Sequence, residues 1–343
     1  MIETLQQDEP MAMPARTFGK QARSMAGYTI VTALMFVSSL FVFIPASLFH
    51  CGIRIGRRAA WLLLLLAAAA AALFFYPAAV VSTAAEASEK YGLLLGVFLA
   101  VGLPALAVLP MVERGEKFGR VLLYALVLGI PGLAVTELTM RVAAHGFSLY
   151  AADVTVMREQ VAITAALIVK AGGSLNELGL FQKWMQLLVP AFTVNGIAIV
   201  FVFSLVMFGR LRAWREFVVR RTPDAAITNP YRFRNLSLPE WLLFAFVIGG
   251  ISPLLTGLPQ QIGANILATV LFLYLLQGLA IFRSFLTAAG VGMMGSLFAW
   301  MVIALLFFGG ISPLLLCIAG LFDSFFDFRH FNRKDHSDES HSH

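Results

Sequence analysis

The chain has 343 residues, of which 59% are hydrophobic and only 13% charged, with a mean hydropathy of +0.82 and a net charge of +6. A soluble domain carries about 25% charged residues, so this balance, with several apolar runs long enough to cross a bilayer, excludes an ordinary soluble protein. The arginines are clustered around apolar runs, which makes them reporters of membrane topology and lipid headgroups and not of a nucleic-acid module; the two cysteines, Cys51 and Cys317, imply no disulfide framework.

Residues 1–23 form a polar tail ending in Arg16, Lys20 and Arg23. The first apolar run, about 24–53, contains Pro45 and ends at Arg54, Arg57 and Arg58. Ser47 to Cys51 superficially matches a lipoprotein cleavage site, but lies too deep in the chain and carries bulky residues, and no cleavable signal peptide is expected. A second run spans Ala59 to about Tyr76, a third about 91–112 with Gly92 and Gly96 spaced for close helix approach, and a fourth about 121–142. Residues 143–186 carry charges of both signs and read as interfacial, extracytoplasmic helices, with a capping box at Ser174–Glu177. The fifth run begins near Pro190 and ends near Gly209.

The loop 210–237 is the most basic stretch, with Arg210, Arg212, Arg215, Arg220, Arg221, Arg232 and Arg234 against Glu216 and Asp224, and the positive-inside rule places it in the cytoplasm. Ser237-Leu238-Pro239-Glu240 reads as a capping box opening the sixth run, and further runs lie near 263–283, 286–308 and 311–328. A polar tail, 329–343, with four histidines reads as disordered. Counting outward from the basic loop also puts the C-terminus in the cytoplasm. A single first span would leave Arg16, Lys20 and Arg23 outside; a fold-back at Pro45 removes that conflict. The expected architecture is all-α, one membrane domain over 24–328 with eight or nine passes.

One heptapeptide occurs twice, at Gly249–Leu255 and Gly309–Leu315, each time Gly-Gly-Ile-Ser-Pro-Leu-Leu. Gly-Gly loosens a helix and Pro removes a backbone donor, so each copy predicts a discontinuous helix. Matched breaks of this kind point to transporter binding sites, or else are two kinks left by a duplication. The candidate substrate-binding residues are therefore Gly250, Ser252, Pro253, Gly310, Ser312 and Pro313, joined by Glu137, Arg141 and Asn195, which the topology puts in the same outer half of the membrane. Glu137 and Arg141, four apart on one helix face, read equally as a self-contained ion pair. Gln277, Arg283, Asp323 and Asp327 form a second group near the inner face, suited to docking a partner or to a plain interfacial aromatic belt. No zinc, serine-nucleophile or phosphate-loop motif is present, so no enzyme, metal or cofactor is expected.

Several local patterns together resemble the YybS-like family of bacterial membrane proteins. They are Phe43-Ile44-Pro45 leading to Gly52-Ile53-Arg54-Ile55-Gly56-Arg57, then Arg234–Trp241, Gln277–Ala280 and the terminal Gly320–Arg329 with its aromatic-Asp signature. The match covers about 26–329. Such proteins are broadly similar to the substrate-capturing subunits of energy-coupling-factor vitamin transporters and to the rod-shape membrane protein of the cell-wall machinery. That resemblance implies a helical protein of the bacterial cytoplasmic membrane, either a solute-transport or solute-binding subunit with an outward-facing pocket and an ATPase or other membrane partner, or a scaffold for envelope and division proteins.

Overall fold

The structure, a computed structural model, describes residues 15–81, 83–143, 148–170, 175–212, 214, 216–217, 229–308 and 311–326. The two polar tails, Gly310, Asp327, and Arg215, Arg220 and Arg221 of the basic loop lie outside the described residues. The described chain is helical throughout. Among its helices five are long and apolar enough to cross a membrane, and shorter apolar helices accompany them.

Helix α1 (Ala15–Val37) and α2 (Ile44–Arg54) form an antiparallel hairpin closed by a 3-10 turn over Ser39–Phe43. Ser38 caps that turn through its side chain, and Pro45 sits in the first turn of α2, where its missing N–H costs nothing. The reversal thus lies one turn ahead of Pro45 and returns Arg54 to the end of the bundle from which α1 rises. Helix α3 (Arg57–Val81) leaves from that basic end, packs along α1, and is followed by α4 (Ala84–Val97) and α5 (Leu103–Glu113). A π turn at Phe98–Gly102 joins α4 to α5 within one long apolar span. Helix α6 (Phe118–Ala143) ascends, and a hairpin of α7 (Leu149–Lys170) and α8 (Leu175–Leu187) stands at the far end, closed by Tyr150 Oη donating to the Gln186 carbonyl. Ser174 of the expected capping box lies outside the described residues.

Helix α9 (Val189–Arg210) descends through the middle of the bundle, followed by α10 (Leu242–Ile251), α11 (Leu258–Ala288), α12 (Met293–Phe308) and α13 (Ile311–Phe326). The core is a continuous apolar cluster in which Phe49, Leu64, Leu109, Leu122, Phe201 and Phe208 are almost fully buried.

The basic end is the most firmly tied. Arg57 donates to Glu113 through Nε at 2.9 Å and Nη2 at 2.5 Å, joining α3 to α5. Tyr231 is fully buried, donates to the Val112 carbonyl at 3.3 Å, and packs edge-on to Phe118 and tilted against Phe208 and Trp214. Burial, with Glu116 nearby, pushes the Tyr231 hydroxyl well above its usual range, so it stays a neutral donor. The capping box expected at Ser237–Glu240 does not form. Residues 236–239 are not helical, with Leu236 extended, and α10 starts at Leu242 without a side-chain cap.

Candidate functional site

The first heptapeptide lies between two helices, whereas Gly309 and Gly310 of the second lie outside the described residues. The first copy ends α10, passing through a 3-10 turn at Ser252–Leu254, and Gly257, at φ 71°, then opens α11. A positive φ suits glycine, so the turn is held by Gly257 as much as by Pro253. Of the second copy, Ile311–Leu315 are helical and belong to α13. Among the described residues the two copies therefore differ: Ser252–Leu254 form a 3-10 turn, and Ser312–Leu314 are α-helical.

The serines also differ. Ser252 is 1% exposed beneath Gly263 of α11, and its Oγ has no hydrogen-bond partner among the described residues. Ser312 Oγ donates to the Ile303 carbonyl of α12 at 3.3 Å. Of the glycine pair, Gly249 is packed on the Leu267 backbone, whereas a Cβ on Gly250 meets open space. Gly250→Ala is accordingly expected to leave the melting temperature unchanged or raise it slightly. Gly263→Ala, whose Cβ would fall on Ser252, should lower it clearly.

Glu137 is committed to structure. Its Oε1 accepts from Arg141 Nε at 2.8 Å and from Ser148 Oγ at 2.5 Å, and its Oε2 accepts from the backbone N of Tyr150 at 3.2 Å. The carboxylate thereby caps the first turn of α7, where negative charge is favoured. Asn195 is 9% exposed, and its Oδ1 lacks a partner among the described residues. Between them lies a residue that sequence reasoning overlooked. Asn265 accepts from Ala191 N at 2.8 Å and donates to the Leu187 and Gln261 carbonyls at 2.9 and 2.8 Å, fixing the α8–α9 corner to α11. No hydrogen bond or ion pair among the described residues joins Glu137, Asn195, Ser252 and Ser312 to one another.

At the inner end two of the expected residues do meet. Gln277, 1% exposed, donates through Nε2 to Asp323 Oδ2 at 2.9 Å and accepts from Leu238 N at 3.1 Å, linking α13, α11 and the leader of α10. Arg283 is not part of that link and donates instead to Ser296 Oγ of α12 at 2.6 Å.

A groove lies elsewhere, between α1, α2 and α9, open to the outside and about 510 Å³ in volume. Its wall carries Tyr28 and His50, with Oη and Nδ1 3.0 Å apart, and Ser47, whose hydroxyl is 2.7 Å from that of Thr32. Ser24 also lines it, the rest of the lining is apolar, including Val31, Met35, Phe43 and Met207, and Gly27 faces it with nothing within 4 Å of a Cβ built there. Ser204 of α9 donates to the Val42 carbonyl at 2.5 Å, holding the hairpin turn against the central helix. No local pattern announces this pairing. Tyr28 and His50 are 22 residues apart and meet only because the chain reverses at 38–43. Among the described residues no group of three or more His, Cys, Asp or Glu is placed to hold a metal.

The model of a family described as a predicted membrane protein, DUF2232, matches residues 25–324. The chain belongs to this family. The YybS-like resemblance is consistent with that membership, and the match takes in the hairpin, the groove and the inner Gln277–Asp323 link alike. Neither the curated proteins nor the solved structures give a match. The family description establishes a membrane protein and assigns it no activity.

Proposed function

We propose that this family member is a ligand-binding membrane subunit of the solute-transport class, acting without catalytic chemistry, and that its binding site is the groove between α1, α2 and α9. The observation that carries this reading is a polar pair, Tyr28 with His50, set with Ser24 and Ser47 in a groove that is otherwise apolar. Small-molecule sites have this make-up and fall between about 300 and 1,000 Å³. Polar groups at membrane depth are costly and concentrate at functional positions.

The positive-inside rule orients the basic end, with Arg54, Arg57, Arg114, Arg120, Arg210 and Arg234, toward the cytoplasm of a bacterial cell. In that orientation the groove belongs to the inner half of the membrane, away from the outer-half position expected from the repeats. Buried, unpartnered Asn195 Oδ1 and Ser252 Oγ favour a second station in the outer half. Movement between the two would alternate exposure, driven by an ion gradient or an ATPase partner, since the chain carries no nucleotide-binding motif. The scaffold reading draws support from one feature, the bare apolar face of α12, where Met293, Met294, Leu297 and Leu305 are largely exposed.

Gly27→Leu projects a side chain into the groove from a position whose Cβ meets open space. Native mass spectrometry of the purified wild-type chain is expected to show a retained small molecule that Gly27→Leu lacks. A co-purified protein without any small molecule, equally in both, would favour the scaffold instead.

A further inference from the structure

We infer that the groove between α1, α2 and α9 seats an anionic membrane lipid, its headgroup at Arg54 and its hydrocarbon chain along Val31, Met35, Phe43 and Met207. This rests on the groove being the binding site and adds the chemical class of its ligand.

The direction of the groove decides the orientation of the ligand. Helices α1 and α2 run antiparallel, with Tyr28 opposite His50 and Thr32 opposite Ser47. Continuing that register sets Ser24, which lines the groove, level with Arg54 at the basic end. From there the lining continues up α1 to Met35 and across to Phe43 at the hairpin turn. Eleven residues of helix span about 16 Å, enough for most of an acyl chain. The polar side chains Ser24, Tyr28 and His50 lie toward the basic end, Ser47 stands at the level of Val31, and beyond it the lining is Met35, Phe43 and Ala46.

Charge is equally one-sided. Arg54 lies one turn beyond His50, is exposed, and sits within electrostatic reach of both Tyr28 and His50. Arg210 of α9 adjoins Leu211, another lining residue. Among the described residues no acidic side chain lines the groove. An occupant with a negative head and an apolar tail matches this arrangement at both ends. A neutral solute would leave the arginine unused, and a free anion would leave the apolar depth unfilled. Tyr28 and His50 supply hydroxyl and imidazole groups at the level where the glycerol and ester oxygens of a lipid would lie.

The test uses the full chain in nanodiscs of phosphatidylcholine doped with equal small fractions of phosphatidylglycerol and phosphatidylethanolamine, followed by release and native mass spectrometry. Wild type is expected to retain phosphatidylglycerol over phosphatidylethanolamine by about fivefold, the worth of one arginine beside an anionic headgroup. Arg54→Ala should keep a bound lipid but lose the preference. Arg212→Ala, at an exposed arginine paired with Glu216, should keep both. Gly27→Leu, and Val31→Trp from the same wall, should retain neither lipid, and inorganic phosphate should not displace the lipid from wild type. Equal retention of the two lipids by wild type, an intact preference in Arg54→Ala, or displacement by phosphate overturns the headgroup assignment while leaving a groove that binds. Undiminished lipid in both groove-filling variants overturns the groove itself.

Discussion

Gly278→Ala and Gly320→Ala are each expected to destabilise the protein severely, with α13 separating from α11. A Cβ on Gly278 would fall on the Leu316 carbonyl oxygen, and one on Gly320 on the Tyr274 carbonyl oxygen. Both obstacles are backbone atoms in the interior of helices, so no rotamer change relieves them. Overpacking a soluble core costs about 1–3 kcal/mol where side chains can shift, and a backbone collision belongs at or beyond the upper end. Small residues matter more in a bilayer than in water, because helices there are held by close packing and lipid offers no hydrophobic drive for association. Melting curves in detergent should fall far below wild type for both variants. Gly250→Ala, the same chemical change at a position facing open space, should not fall at all.

Gln277→Leu should be nearly as damaging, for an electrostatic reason. The wild-type amide gives Leu238 N its acceptor and gives Asp323 Oδ2 a donor, all within a site where Gln277 is 1% and Asp323 7% exposed. Leucine fits the volume but removes both bonds at once. A buried polar group deprived of its partner costs about 1–3 kcal/mol, and more for a charged one. Adding Asp323→Leu to Gln277→Leu should therefore cost little further, or recover part of the loss, since the carboxylate no longer needs solvation. A double-mutant cycle read by thermal unfolding measures this coupling. Strict additivity of the two substitutions would show that the residues do not act as a pair.

These two interfaces show what the sequence could and could not disclose. Apolar runs and arginine clusters identify a helical membrane protein, because lipid leaves few alternatives for a hydrophobic chain of this charge distribution. Gln277 was legible as a buried polar group and Asp323 as an interfacial acid; their bond to each other was not, and Arg283, an expected partner of the acid, is taken by Ser296. The repeat was the most conspicuous pattern, and its letters alone do not fix one local structure. Ser252–Leu254 form a 3-10 turn that leads into Gly257, whereas Ser312–Leu314 are helical within α13. Ser237–Glu240 carried capping letters, yet no helix forms over 237–239 and Gln277 takes the Leu238 amide. The groove was hidden for another reason. Tyr28, Ser47 and His50 belong to separate helices, and the register that joins them is set by the 3-10 turn at Ser39–Phe43, which no periodicity announces.

The most direct test of a ligand in that groove is a thermal shift on delipidated protein. Anything that binds the folded chain and not the unfolded one raises its melting temperature by mass action. Adding back a total membrane lipid and small-molecule extract should raise the melting temperature of wild type and leave that of Gly27→Leu unmoved, the two being alike before addition. An equal rise in both would place the ligand somewhere other than between α1, α2 and α9, and would contradict the account.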